Sequence, residues 1–102
     1  MDNRFVDAIL AEVSEEKAES LGRAGNLLEA ALHELRDFDI HRDLTDVDQQ
    51  DQRRRLVWRI ARLVTYFIVQ REACGLNDAD YVLQFYKVPQ DVIAMLGKRA
   101  KA

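Results

Sequence analysis

Proline and glycine are scarce in this sequence, which has one proline and four glycines among 102 residues. Because these residues interrupt helices most strongly, their scarcity favours long helices. The single cysteine, Cys74, excludes an internal disulfide and suits a reducing compartment. A hydrophobic content of 48% with 32% charged residues is typical of a folded protein, and the length predicts one domain over residues 1–102.

The sequence also lacks a long apolar run and a targeting segment. Its longest apolar stretch, residues 56–69, contains two arginines and is shorter than the roughly 20 residues that a membrane span needs. The N-terminus has no basic region and carries acids through its apolar part, unlike a secretory signal peptide. We therefore expect a cytoplasmic protein that does not bind a membrane.

Motifs for catalysis and metal binding are missing as well. There is no glycine-rich phosphate loop, nucleophile elbow or zincin motif. His33, His41 and Cys74 lack the short paired spacings of a structural zinc site, and a Cys–His nucleophile pair would have to be assembled by the fold. The acids of residues 37–48 fail as an EF-hand loop, since Arg42 stands where glycine is needed. The sequence predicts no catalytic residue, no cofactor and no metal, and thus a protein that is not an enzyme.

Apolar residues recur with helical spacing over residues 3–37, which predicts a first long helix. Glutamates lie on the opposite face. Gly22 and Gly25 either kink this helix or permit a close crossing with a neighbour. The apolar arc consists of Val6, Ile9, Leu10, Val13, Leu21, Ala24, Leu28, Ala31, Leu32 and Leu35.

A second long helix is predicted over residues 46–73, after a linker at residues 38–45. Thr45 is the expected N-cap, with Asp48 completing a capping box, and Gly75 is expected at the C′ position. Two short helices, residues 79–86 and 89–96, follow. The expected fold is all-α: an antiparallel helical hairpin with two short C-terminal helices, forming a four-helix-type core as a dimer.

Residues 53–70 carry the observation that predicts a partner. On a helix, Leu56, Ile60, Leu63 and Phe67 share one apolar face, while Trp58 and Val69 form a second, smaller strip. A helix that is apolar on two sides needs two neighbours. We therefore predict a non-catalytic interaction, adaptor or regulatory protein that acts as a homodimer, with an unidentified protein as a further partner. The interface candidates are Trp58, Val69, Val57 and Ile68.

Charge asymmetry supports an alternative, a nucleic-acid-binding protein. Residues 1–50 hold 13 acids and 5 bases (net −8), and residues 51–102 hold 5 acids and 10 bases (net +5). Arginines and a tyrosine on one face of the second helix could contact phosphates and a base. The C-terminal helix pair is a second candidate, although its last helix is too apolar for a DNA reader. The candidate residues are Arg54, Arg55, Arg59, Arg62 and Tyr66.

We prefer the interpretation that these arginines pair with acidic residues of the protein itself. The first helix contains enough glutamates to pair with them, and the pI of about 5.3 is far below that of a typical nucleic-acid-binding domain. Nucleic acid is therefore a disfavoured partner.

Three stretches carry a resemblance to a known family. They are residues 70–78 (QREACGLND), residues 86–92 (YKVPQDV) with the closing Met95-Leu96-Gly97, and residues 16–25 (EKAESLGRAG). Together they resemble a family of small bacterial all-helical proteins, a domain of unknown function, over most of the chain. The resemblance implies a small all-helical domain and no activity, cofactor or site residue.

A gel-shift titration with generic DNA and RNA separates the two functions. If the arginines pair within the protein, we expect no shift even at low salt, where phosphate contacts are strongest. A shift that weakens steeply with added salt would instead support the nucleic-acid alternative.

Overall fold

The computed structural model describes the backbone of residues 4–97 and the side chains of residues 15–97. Within this range the chain forms four helices and no strand: α1 (Arg4–His41), α2 (Val47–Ala73), α3 (Ala79–Phe85) and α4 (Gln90–Ala94). Helices α1 and α2 pack as a hairpin, and α4 packs on α2. The predicted all-α hairpin with two short C-terminal helices is confirmed.

Helix α1 ends at His41, four residues beyond the end predicted from the sequence. The acidic DFDI segment stays helical because a bond to its backbone and a side-chain contact across the hairpin hold it there. His41 Nδ1 donates to the carbonyl of Asp37 at 2.9 Å, and Asp39 accepts from Arg53 of α2 at 2.7 Å. The connection between the long helices is therefore only residues 42–46.

The N-cap of α2 is Asp46, not the predicted Thr45. A carboxylate oxygen of Asp46 accepts the backbone N–H groups of Asp48 at 2.9 Å and Gln49 at 3.3 Å. The Thr45 hydroxyl instead donates to Asp43 at 2.7 Å, within the connecting turn. The cap thus lies one residue later, because Asp43 already engages the threonine.

Gly75 ends α2 as the sequence predicts. It lies in the left-handed region with φ +83°, and the N–H groups of Gly75 and Leu76 donate to the carbonyls of Glu72 and Arg71 at 2.9 Å each. These two bonds form a Schellman motif, which reverses the chain direction. The C-terminal arm, defined as residues 76–97, therefore returns along the hairpin.

A second Schellman motif ends α3, but with lysine where glycine is usual. Lys87 has φ +52°, and the N–H groups of Lys87 and Val88 donate to Gln84 and Leu83 at 3.2 and 3.0 Å. A non-glycine residue in this region pays a steric cost of about 1 kcal/mol. The turn nevertheless places Pro89 ahead of α4.

The hydrophobic core has contributions from three layers. Leu28, Leu32 and Leu35 of α1 face Ile60 and Val64 of α2 along the hairpin seam, all fully or nearly fully buried. The C-terminal arm adds a third layer through three buried valines, Val82, Val88 and Val92. Of the predicted core of α2, Leu56, Ile60 and Phe67 are buried, and Leu63 is partly buried against them.

Of the two alternatives for the glycines of α1, a kink or a close crossing, the structure shows a close crossing at Gly25. Helix α1 continues through Gly22 and Gly25 as one helix. A β-carbon at Gly25 would lie 3.1 Å from the Tyr86 hydroxyl and 3.3 Å from the Phe67 ring, whereas at Gly22 it would meet nothing within 4 Å. The rings of Phe67 and Tyr86 pack edge to face at 5.5 Å. Gly25 therefore makes room for this aromatic pair.

No helix among the described residues combines the length and the hydrophobicity that crossing a membrane would require.

Substituting leucine for each of the two glycines should separate packing from helix propensity. Gly25→Leu should lower the free energy of unfolding by about 1–3 kcal/mol, since the side chain must displace Phe67 and Tyr86. Gly22→Leu should raise it by up to about 1 kcal/mol, because leucine favours helix and the site is open. Urea unfolding at one protein concentration measures both. Equal effects at the two positions would contradict the close crossing.

Candidate interaction surface

One face of α2 points away from the hairpin seam and carries a regular row of side chains. We call it the outer row and define it as Arg55, Arg59, Arg62, Tyr66 and Val69. Successive members are four, three, four and three residues apart, which places them on one side of the helix. All five are exposed, with Tyr66 at 49% and Val69 at 51%. The row is thus cationic at one end and apolar at the other.

A shallow cavity of about 350 Å³ adjoins the outer row and connects it to the C-terminal arm. Arg62 and Tyr66 belong to both, and Trp58 is half-buried beside them. The cavity therefore collects tryptophan, tyrosine and arginine, the residues that contribute most to protein–protein interfaces. Its lining residues are Trp58, Ala61, Arg62, Thr65, Tyr66, Met95 and Gly97.

The four interface candidates predicted from the sequence fall in different environments. Val57 is buried, with 6% exposure, in the chain's own core, where it shares a cavity with Asp91 and Met95 of the C-terminal arm. Ile68 is half-buried against the core. Trp58 is half-buried, and Val69 is exposed. Trp58 and Val69 can therefore contact a second chain, whereas Val57 offers it almost no surface.

The arginines predicted as nucleic-acid candidates have three kinds of surroundings. Arg59 forms an ion pair with Glu34 of α1, as expected for pairing with the first helix. Arg54 and Arg55 instead share Asp51 of their own helix, at 3.3 and 3.4 Å. Among the side chains that the structure describes, no acid lies within 4 Å of Arg62. The exposed pairs contribute little to stability, and a partner can reach Arg62 without displacing any of these carboxylates.

Arg53 has a role that its place in the arginine run did not indicate. It lies on the inner side of α2, donates to both carboxylate oxygens of Asp39 in α1 at 2.7 and 3.1 Å, and also donates to Asp91 in α4. One guanidinium thus joins three helices. This hydrogen bonding from Arg53 holds the pKa of Asp39 below its usual value of 3.8, with smaller contributions from the charges of Arg53 and Arg42.

The residues that a nucleophile or a metal would need are not gathered. His33 is exposed on α1, His41 bonds to the backbone at the end of α1, and Cys74 is half-buried as the C-cap of α2. Within the described residues no group of three histidine, cysteine or acidic side chains could hold a metal ion. The described residues therefore do not bring His33, His41 and Cys74 together in one site.

Helices α3 and α4, the other nucleic-acid candidate, lie against the hairpin. Val92 of α4 is fully buried, and Asp91 in its first turn is bound by Arg53. On α3, Tyr81 and Phe85 are exposed and stack with ring centres 5.7 Å apart. This aromatic pair is an apolar surface that the sequence analysis did not single out, although the four-residue spacing of the two rings on a short helix indicates it.

No protein-family model matches the chain, and neither the curated proteins nor the solved structures that were compared with it gave a match. The resemblance to a family of small bacterial all-helical proteins therefore stays a prediction.

Replacing Arg53 should destabilise the fold more than replacing its neighbour Arg54. Arg53→Gln leaves Asp39 and Asp91 without their shared cation and should lower the free energy of unfolding at neutral pH by about 1–2 kcal/mol. Arg54→Gln, which removes only an exposed pair with Asp51, should change it by less than about 0.5 kcal/mol.

The loss in free energy of unfolding caused by Arg53→Gln should also depend on pH in a defined direction. Since the pKa of Asp39 is lower in the folded chain than the 3.8 of the unfolded one, its stabilisation is complete above 3.8 and is lost as the pH falls through the folded value. Urea unfolding from neutral pH down to about pH 3 should show wild type and variant converging. A difference in free energy of unfolding between wild type and variant that stays constant over this pH range would contradict the ion pair.

Proposed function

We propose that this protein is a small, non-catalytic cytoplasmic interaction protein, of the adaptor or regulatory kind, that acts as a homodimer through the outer row of α2. The observation that carries the proposal is the exposure of Tyr66 and Val69 on a helix whose opposite face is already buried. Helix α2 thus presents apolar surface that the described part of its own chain does not cover. Covering such a surface is favourable at about 25 cal/mol per Å².

The surroundings of these two residues support a protein as the partner. The adjoining cavity holds Trp58 beside Arg62 and Tyr66, a composition typical of the anchor residues of protein interfaces. A second copy is the simplest partner, because two-fold homodimers are the most common soluble assemblies. A domain of this length also gains stability when it buries further surface.

Nucleic acid is the weaker candidate on the same surface. Arg54, Arg55 and Arg59 each lie within 4 Å of an acid of the chain itself. A phosphate would have to compete with carboxylates that are already in place. The chain as a whole is also negative, with a net charge of −3, which opposes approach to a polyanion.

Two matched aromatic substitutions test the proposed interface. Light scattering coupled to size exclusion should give wild type a mass near twice the 11.8 kDa of one chain at low micromolar concentration. Tyr66→Asp should shift the mass toward a monomer, because it places a charge in the contact. Tyr81→Asp changes a tyrosine of similar exposure, 57% against 49%, that lies outside the outer row, and this variant should stay dimeric.

Circular dichroism of both variants controls for folding. A wild-type protein that remains monomeric over this concentration range would contradict the proposed homodimer. Equal dissociation by the two substitutions would place the contact outside the outer row.

A further inference from the structure

We infer that the outer row of α2 binds the N-terminal segment of a second copy of this chain, and that the two copies exchange these segments reciprocally. The inference rests on the proposed homodimer and deepens it by naming what occupies the surface. Three observations carry it: the unequal lengths of the two long helices, the charge of the two surfaces, and the match between their dimensions.

Helix α1 is longer than the helix that packs against it. Its 38 residues span about 57 Å and the 27 residues of α2 about 40 Å, at 1.5 Å per residue. At the end of α2, Ala73 lines one small cavity together with Lys17, Ala18 and Leu21 of α1. Residues 4–16 of α1 therefore run about 20 Å past the last turn of α2. We call this part the N-terminal extension.

The sequence of the N-terminal extension is that of an amphipathic helix. Val6, Ile9, Leu10 and Val13 recur at the spacing of one helical face. They continue the arc that Ala24, Leu28 and Leu32 occupy where α2 covers it. A helix of this length has marginal stability in water without packing on its apolar face. The extension therefore needs a partner beyond the end of its own hairpin.

Charge selects which surface of a second copy the extension meets. The extension holds four acids and one base, a net charge of −3, so two extensions placed against each other would repel. The outer row offers Arg62, which has no acid within 4 Å among the described side chains, next to the apolar Tyr66 and Val69. An acidic amphipathic helix can supply both a carboxylate for Arg62 and aliphatic side chains for the apolar end of the row.

The dimensions of the two surfaces agree. From Ala73 back to Arg59, α2 covers about 21 Å, close to the 20 Å of the extension. A two-fold axis that brings the α2 C-termini of two hairpins together lays each extension along the other copy's α2. The extension then runs parallel to that α2, which brings Asp7 level with Arg62, Leu10 with Tyr66 and Val13 with Val69. In this arrangement Arg62, Tyr66 and Val69 are covered, and the extension ends at the level of Arg59. Arg55 lies one turn beyond the reach of the extension, which supplies a matched control within the same row.

Charge reversal within the full-length chain tests this register. Arg62→Glu should weaken the dimer by about tenfold or more, since in this register position 62 comes level with Asp7. Arg55→Glu changes another exposed arginine of the same helix and should alter the dissociation constant by less than about threefold. Trp58 is the one tryptophan of the sequence and borders the covered surface, so its emission during dilution reports the dissociation constant. Equal effects of the two reversals would overturn the inference.

Salt dependence gives an independent test that needs no substitution. If the extension binds the arginines, the dissociation constant should rise as sodium chloride screens their attraction, up to about 0.5 M. If the two acidic extensions pack on each other, screening should lower the dissociation constant instead. A constant that falls with salt would overturn the inference and leave a homodimer in place.

Substitution in the extension separates this inference from the proposed function. Leu10→Asp should produce monomers, as is also expected of Tyr66→Asp, with circular dichroism controlling for the folding of the hairpin. If Tyr66→Asp dissociates the dimer and Leu10→Asp does not, the outer row is still an interface but another segment occupies it. If wild type is monomeric, both the inference and the homodimer fail.

Discussion

Two antiparallel helices bury only one seam between them, and this constraint governs the rest of the structure. A hairpin alone would leave the sides of Ile60, Val64 and Phe67 that face away from α1 open to water. The C-terminal arm closes this gap with Val82, Val88 and Val92, all buried. The arm reaches them only because the chain reverses at Gly75. A single left-handed residue thus converts a two-helix hairpin into a three-layer core.

Much of the fold could be predicted because its signals are local. Helical periodicity, the scarcity of proline and glycine, and Gly75 after an apolar run all act within a few residues. Two expectations were wrong, for different reasons. The N-cap is Asp46 because Asp43 engages Thr45, a local contact between residues two apart that competes with capping. Helix α1 extends to His41 because Asp39 is bound by Arg53 across the hairpin, a tertiary contact that no local pattern contains.

The candidate surface was predictable only in part, for the same reason. Periodicity placed the arginines of α2 on one face, with Tyr66 beside them, and it separated Val69 from the seam. It could not foresee that the C-terminal arm buries Val57, or that Arg53 faces inward while Arg54 faces solvent. These distinctions depend on where a distant segment packs, which helix periodicity does not encode.

The surface of α2 combines features that are individually ordinary. Exposed apolar side chains occur singly on most proteins, and exposed arginine pairs contribute little energy. What distinguishes this face is their order along one row, with cations at one end, Tyr66 and Val69 at the other, and Trp58 at the border. Such an order suits a helical ligand that brings a carboxylate to the cationic end and aliphatic side chains to the apolar end, as in the proposed assembly.

The left-handed lysine between α3 and α4 has a consequence for how much change this small fold tolerates. Domains of this size have free energies of unfolding of about 5–15 kcal/mol, so the roughly 1 kcal/mol lost at Lys87 is a sizeable fraction. Most substitutions elsewhere in the chain subtract from the same total. Glycine at position 87 would therefore recover this free energy, and the chain would tolerate more destabilising substitutions elsewhere. The core would stay in place, because the turn already has the backbone geometry that glycine prefers.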